Sequence, residues 1–137
     1  MVRPEVIRKR LNKLDEYLEI LRGMRRYSLD DFLAAPERYG SAERFLQLAI
    51  EALTDLGNHV IADLRLGTVD TYADVPTILA NSGYVDVELR DTWLKIVGFR
   101  NVLVHDYADL DRRLVYDVLT NRLGDLEALR KVFAQFL

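Results

Sequence analysis

Cysteine is absent from the 137-residue sequence, which also has only two histidines and three prolines. Without cysteine the chain has no disulfide framework, thiolate nucleophile, iron–sulfur cluster or cysteine-bound zinc, so it does not need an oxidising compartment. No apolar run approaches the ~20 residues of a membrane-spanning helix. The N-terminus leads into charged residues and not into the apolar stretch of a secretory signal. These absences favour a cytoplasmic protein that does not enter a membrane.

Half of the residues are apolar, which is enough for a substantial core. A chain of this length is close to the usual size of one domain and can bury most of its apolar surface without cross-links. We therefore expect residues 1–137 to form a single domain.

The net charge of −3 is unevenly distributed along the chain. Residues 1–27 contain eight basic and four acidic side chains and carry +4, which leaves −7 for residues 28–137. A segment of this kind is typically the solvated face of an amphipathic helix, and we favour that interpretation. It is also a candidate surface for RNA phosphates, although the overall charge argues against a general nucleic-acid coat.

Apolar residues recur at intervals of three and four along the chain, a spacing typical of amphipathic helices. Strand-type alternation is missing, so the fold class we expect is all-α: an up-and-down bundle of four longer helices and one or two short ones. The first helix is predicted from about residue 4 to about residue 26. The other local signals are Ser28, Asp74, Asp86 and Asp111 as N-caps, Pro36 as a stop, Gly67 as a C-cap, Gly57 as a close approach or bend, and Gly98 and Gly124 as breaks.

Functional groups are concentrated in Gly98–Tyr107, at the end of an apolar helical run. Arg100 offers a guanidinium that can bind phosphate oxygens in a fork, and His105 an imidazole that can move a proton near neutral pH. In RNA the neighbouring 2′-OH supplies the nucleophile, so no metal is required. The alternative is an ion-paired arginine and a satisfied histidine near a helix end, which the spacing alone does not exclude.

The spacing of these residues also limits how they can meet. On an ideal helix Asn101 and His105 share a face, whereas Arg100 and His105 are ~140° apart. Arg100 and His105 converge only if the helix ends, bends or is met by a second copy of the chain. Gly98 and the polar segment 106–111 favour an ending or a bend.

The order Arg100-Asn101-x-x-x-His105-x-Tyr107 resembles the Arg-x4-His-x-Tyr signature of HEPN-domain proteins. Its setting, Gly98–Tyr107, resembles that of the HepT toxins, as do residues 52–61, Tyr72–Asp74 and Leu110–Asp111, so the resemblance covers roughly residues 45–130. It implies a HEPN-like α-helical homodimer in which two motifs face each other across a cleft and act as a metal-independent endoribonuclease. It also implies a partner, an MntA-type nucleotidyltransferase antitoxin that neutralises the toxin by transferring AMP from ATP to Tyr107.

From this resemblance we assign roles as hypotheses. His105 acts as general base or acid, Arg100 stabilises charge on the pentacoordinate phosphate, and Asn101 orients His105 or the substrate. Tyr107 positions RNA and accepts AMP. No bound cofactor or metal is expected.

Other residues offer weaker candidates. Arg112 and Arg113 are candidate RNA contacts, although a solvated helix face explains them almost as well. Asp106, Asp109 and Asp111 resemble a metal-ligand cluster, but acidic residues before a helix are more often caps. His59 could complete an acid–base pair, and a partly buried polar residue is the more common case. The competing function is a non-catalytic binding module, or a subunit that presents a substrate to a minimal nucleotidyltransferase.

Overall fold

Seven α-helices follow one another along the part of the chain that the structure describes. The computed structural model describes residues 1–105 and 107–137, apart from the side chain of Tyr107. No β-strand occurs within these ranges, and the all-α prediction is confirmed. The helices are α1 (Pro4–Gly23), α2 (Leu29–Ala34), α3 (Pro36–Leu64), α4 (Asp74–Asn81), α5 (Val87–His105), α6 (Arg112–Asn121) and α7 (Leu123–Ala134), with 3-10 turns at Met24–Arg26 and Tyr107–Asp109.

The longest helix, α3, lies at the centre and contacts every other α-helix. Its buried stripe meets the regularly spaced apolar residues of α1 on one side and those of α4 to α7 on the others. Trp93 of α5 is fully buried and packs edge-on against Phe133 of α7, with ring centroids 5.9 Å apart. The core therefore joins the first and the last helix to the helix that carries Arg100 and His105.

Three of the predicted N-caps are confirmed by their hydrogen bonds. The Ser28 hydroxyl accepts from the Asp31 backbone N–H at 3.1 Å. The Asp86 carboxylate accepts from the Leu89 backbone N–H at 2.7 Å. The Asp111 carboxylate accepts from the Arg113 backbone N–H at 2.9 Å. These bonds satisfy amide groups that a helix leaves free at its start, which fixes where α2, α5 and α6 begin.

Three glycine predictions were wrong. The C-cap of α3 is Arg65, in a left-handed conformation with φ of 54°, and not Gly67, which instead lets Ile78 pack closely. Helix α5 runs through Gly98 without a break, because one glycine costs a packed helix only about 1 kcal/mol. The last predicted helix is two helices, α6 and α7, and they join at Arg122 and not at Gly124.

Two smaller features complete the architecture. The first helix ends at Gly23, and its predicted last turn is the 3-10 turn Met24–Arg26. Among the described residues no helix is both long and apolar enough to cross a membrane.

Gly57 lies where α4 approaches α3 closely. Of the two alternatives predicted for this glycine, a close approach or a bend, the close approach is confirmed. A Cβ atom built on Gly57 would overlap Cγ1 of Val75. Valine is stiff at χ1, so Val75 cannot rotate away freely and α4 would have to move. The glycine therefore sets the spacing between these two helices.

We predict that Gly57→Ala lowers the free energy of unfolding by about 1–3 kcal/mol, because the added methyl group overpacks the contact with α4. Gly40→Ala is the matched control, since Gly40 lies in the same helix and nothing lies within 4 Å of its Cβ position. That control should gain up to ~1 kcal/mol from helix propensity. Urea denaturation followed by circular dichroism measures both, and equal effects would contradict the packing argument.

Candidate functional site

Arg100 lies on the buried side of α5 and reaches toward α3 and the loop before α4. Its Nη2 atom donates to the Glu51 carboxylate at 3.0 Å and to the Tyr72 hydroxyl at 3.1 Å. The guanidinium also lies over the Tyr72 ring, with Cζ 4.2 Å from the ring centroid. Nη1 is 3.4 Å from the Oδ1 atom of Asn101. The Arg100 cluster, defined as Arg100, Glu51, Tyr72 and Asn101, thus holds the cation from several sides.

Asp74 orders the loop that carries Tyr72. Its Oδ2 atom accepts from the backbone N–H groups of Asp70 and Thr71, at 2.9 and 3.0 Å. It is the first residue of α4 and not its N-cap, which is Ala73, so the predicted cap was wrong and the carboxylate instead closes the preceding loop.

The same two hydrogen bonds lower the pKa of Asp74 below its usual range, because they stabilise the ionised carboxylate. A group whose pKa is lower in the folded than in the unfolded state stabilises the fold above its unfolded pKa. That contribution is lost as the pH falls through the folded pKa. The loop beside Arg100 is therefore held by an ionised carboxylate at neutral pH.

His105 is the last residue of α5 and is exposed. Because α5 neither ends nor bends between residues 100 and 105, the ~140° separation of the two side chains persists in one chain. Asn101 is also exposed and shares the face of His105, as predicted. The structure thus brings Asn101 to Arg100, but it does not bring Arg100 and His105 side by side within one chain.

Two of the predicted residues are only partly described or not described at all. Asp106 and the side chain of Tyr107 lie outside the described residues, so the predictions for them stay predictions. Asp111 caps α6. Within residues 1–105 and 107–137, no three histidine or carboxylate side chains come close enough to hold a metal ion.

Arg112 and Arg113 differ in their surroundings. The Arg112 guanidinium lies over the Tyr39 ring, with Cζ 4.1 Å from the centroid, and its Nε is 3.5 Å from the Glu43 carboxylate. Burial raises the pKa of Glu43, although the Arg112 charge acts in the opposite direction. Arg113 is exposed. Of the two predicted RNA contacts, Arg113 is open to solvent, and Arg112 packs against Tyr39 with 37% of its side chain still exposed.

Three of the eight basic side chains in the N-terminal segment pair with carboxylates of other helices. Arg3 binds Asp63 at 3.3 Å, and Arg10 binds Asp55 at 2.7 Å, both on α3. Arg22 binds Glu127 of α7 at 3.0 Å. Part of the positive charge of this segment therefore joins α1 and the residue before it to α3 and α7, and its contact with RNA stays a prediction.

A groove of about 560 Å³ adjoins part of the Arg100 cluster. Glu51 and Tyr72 form part of its wall, and Tyr17, Asn58 and Thr71 line the remainder together with others. His59, the second histidine, is half-buried on α3. The groove thus opens beside the two partners of Arg100, and neither Arg100 nor His59 lines it.

Sequence reasoning missed Glu51 and Tyr72 as partners of Arg100. A buried arginine needs a carboxylate or another acceptor, so some partner for Arg100 could be expected. With 22 acidic residues in the chain, however, the pattern does not single out Glu51. Tyr72 falls in a segment that resembles the HepT toxins, but nothing in its spacing indicates a stacked guanidinium.

Most of the chain is similar in sequence to known proteins. The family model described as HepT-like, Ribonuclease HepT-like, matches residues 14–133. The tRNA nuclease HepT of Aphanizomenon flos-aquae is 32% identical over 115 residues, which are 84% of this chain and 78% of that protein. The mRNA nuclease HepT of Shewanella oneidensis is 37% identical over 82 residues, which are 60% of this chain and 62% of that protein.

The fold is similar to that of a solved toxin. The tri-AMPylated Shewanella oneidensis HEPN toxin, in complex with MNT antitoxin, superimposes with a TM-score of 0.87 at 26% identity. The match covers 95% of this chain and 97% of that toxin. Both the family model and these relatives place the chain in one family, and it belongs to the HepT-like ribonucleases.

Proposed function

We propose that the protein is the toxin of a toxin–antitoxin pair and acts as a metal-independent endoribonuclease. One observation carries the proposal: the order Arg100-x4-His105-x-Tyr107 stands at the end of α5 in a chain whose fold matches a HEPN toxin over 95% of its length. Relatives named as tRNA and mRNA nucleases support RNA as the substrate class. An RNA substrate and the absence of cysteine support a cytoplasmic location.

The chemistry follows from the two functional groups. His105 takes the proton from a 2′-OH, whose oxygen attacks the neighbouring phosphorus. Arg100 stabilises the charge that develops on the pentacoordinate phosphate. The bond to the 5′-oxygen then breaks, and that oxygen takes up a proton from protonated His105 or from water. The products are a 2′,3′-cyclic phosphate and a 5′-hydroxyl, and no metal or cofactor takes part.

A second copy of the chain completes the site in this proposal. Arg100 and His105 of one chain diverge by ~140° on α5, so Arg100 of one chain works with His105 of the partner subunit. Gly98 supports an approach of the two α5 helices. It is exposed, nothing lies within 4 Å of its Cβ position, and it precedes His105 by seven residues on the same face. Since no neighbour within the chain requires a glycine here, the missing side chain suits close contact with the backbone of another chain.

Tyr107 is the proposed point of control. Its hydroxyl attacks the α-phosphorus of ATP on an MntA-type nucleotidyltransferase, the bond to pyrophosphate breaks, and the hydroxyl proton is lost. The adduct places a phosphodiester charge two residues from His105, where it competes with RNA phosphate for Arg100. The toxin that is similar in fold is described as tri-AMPylated and bound to its antitoxin, which supports this assignment.

The alternative is a non-catalytic helical subunit that only presents Tyr107 to the nucleotidyltransferase. It needs the partner surface but neither an accessible His105 nor a cation beside it. The exposure of His105 at the end of α5 favours the nuclease.

We predict that Arg100→Ala and His105→Ala each lower RNA cleavage about a hundredfold or more, because each removes a group that acts in the transition state. His59→Ala is the matched control for the only other histidine and should cleave like the wild type. Cleavage of a tRNA and mRNA panel in EDTA, followed on denaturing gels, measures all four proteins. Loss of wild-type cleavage in EDTA would contradict the metal-independent mechanism, and a wild type that cuts nothing would favour the binding module.

Co-expression of Arg100→Ala with His105→Ala chains tests the shared site. Random pairing makes about half of the dimers mixed, and each mixed dimer has one intact site, so about a quarter of wild-type activity should return. Co-expression of His105→Ala with the double variant restores no complete site and is the control. No recovery above that control would show that the two residues act within one chain.

Incubation with the cognate nucleotidyltransferase and ATP should add AMP-sized increments to the intact mass of the protein. The increments should disappear in Tyr107→Phe, which keeps the ring and lacks the nucleophile. Tyr84→Phe is the control and should be modified like the wild type. Increments that persist in Tyr107→Phe would place the modification elsewhere.

A further inference from the structure

We infer that Glu51 and Tyr72 are positioning residues for the nuclease reaction, and that they act by holding the Arg100 guanidinium toward the scissile phosphate. The inference rests on the proposed function and adds two residues to it. Neither belongs to the Arg-x4-His-x-Tyr motif, and they come from α3 and from the loop before α4. The cation that stabilises the transition state is therefore fixed by two elements other than its own helix.

The Glu51 carboxylate is itself held in place. Its Oε1 atom accepts from Arg100 Nη2 at 3.0 Å and from the Gln47 side-chain amide at 3.1 Å, one turn earlier on α3. The side chains of Arg100 and Glu51 are 10% and 30% exposed. An ion pair this shielded from water is screened less by salt than a surface pair and keeps a defined geometry.

Tyr72 contacts the guanidinium through its ring as well as through its hydroxyl. The ring covers one face of Arg100, while the hydroxyl accepts from the same Nη2 that binds Glu51. A guanidinium at this distance cannot move away from the ring without weakening the cation–π contact. Together the two residues hold the cation through an ion pair, a hydroxyl and an aromatic ring.

This arrangement occupies only part of the donor set. Glu51 and Tyr72 share Nη2, and the bond from Nη1 to Asn101 is long at 3.4 Å. Nε has no partner among the described residues but is buried. Of the two Nη groups, Nη1 is therefore the one that a phosphate oxygen can bind at the lower cost. A cation that is aimed before the substrate arrives loses less freedom in the transition state, which is the advantage of preorganisation.

Glu51→Ala should lower kcat about a hundredfold, since a displacement of about 1 Å at a catalytic group is enough for this. Glu51→Gln keeps an acceptor for Nη2 without the charge and should lose about tenfold. KM for RNA should change less than threefold in both, because the cation acts mainly in the transition state. Tyr72→Phe keeps the stacking and should lose less activity than Tyr72→Leu.

The controls separate positioning from a general structural role. Asp63→Asn removes another arginine-paired carboxylate from α3, and it should retain wild-type kcat. Adding Glu51→Ala to Arg100→Ala should cost no more than twofold beyond Arg100→Ala alone, because Glu51 acts only through Arg100. Rates are normalised to the folded fraction from thermal melts, and Glu51→Gln remains informative if Glu51→Ala does not fold.

The possible outcomes distinguish this inference from the proposed function. If Arg100→Ala keeps full activity, the proposed function fails. If Arg100→Ala is inactive while Glu51→Gln and Glu51→Ala match the wild type, only the positioning inference fails. A rise in kcat on removing Glu51 also overturns it, because Glu51 would then be a competitor that the phosphate must displace. A further loss well beyond twofold in the double variant would identify a structural role.

Discussion

The unbroken course of α5 is the constraint on which the arrangement of the site depends. At 3.6 residues per turn a single stripe of the helix faces the core, and in α5 this stripe consists of Trp93, Val97, Arg100 and Leu103. Arg100 thus occupies a position that an apolar residue would ordinarily fill. His105 falls outside the stripe and is exposed. The same periodicity therefore buries the cation and presents the imidazole to solvent.

A cation on a buried stripe needs compensation, because an unpaired charge away from water is costly. Glu51 supplies the opposite charge from the central helix, and Tyr72 supplies an acceptor and an aromatic face. The Tyr72 loop in turn depends on the ionised Asp74 carboxylate. Buried Arg100 thus depends on Tyr72, and the loop of Tyr72 depends on the charge of Asp74. The same contacts therefore affect the stability of the fold and the geometry of the site.

Much of the fold follows from local sequence signals, and the errors have one physical source. Apolar spacing predicted the bundle, and short polar side chains at Ser28, Asp86 and Asp111 predicted helix starts correctly, since a cap needs only its own few neighbours. Gly98 was wrong as a break because the packing of a helix face outweighs a propensity cost of about 1 kcal/mol. The break predicted at Gly124 lies two residues earlier, at Arg122. Gly57 was informative because Val75 of α4 leaves no room for a side chain there, so the position needs a glycine for space and not for flexibility.

The candidate site shows the same division between local and distant information. The motif and the common face of Asn101 and His105 could be predicted from spacing, because they belong to one helix. The partners of Arg100 are 49 and 28 residues away in the sequence, so only the packing of α3 and the α4 loop against α5 reveals them. Those partners both bind Nη2 and leave Nη1 weakly bound. In the proposed function, RNA phosphate and an AMP adduct compete for this one donor edge, so the group that accelerates cleavage is also the group through which modification can stop it.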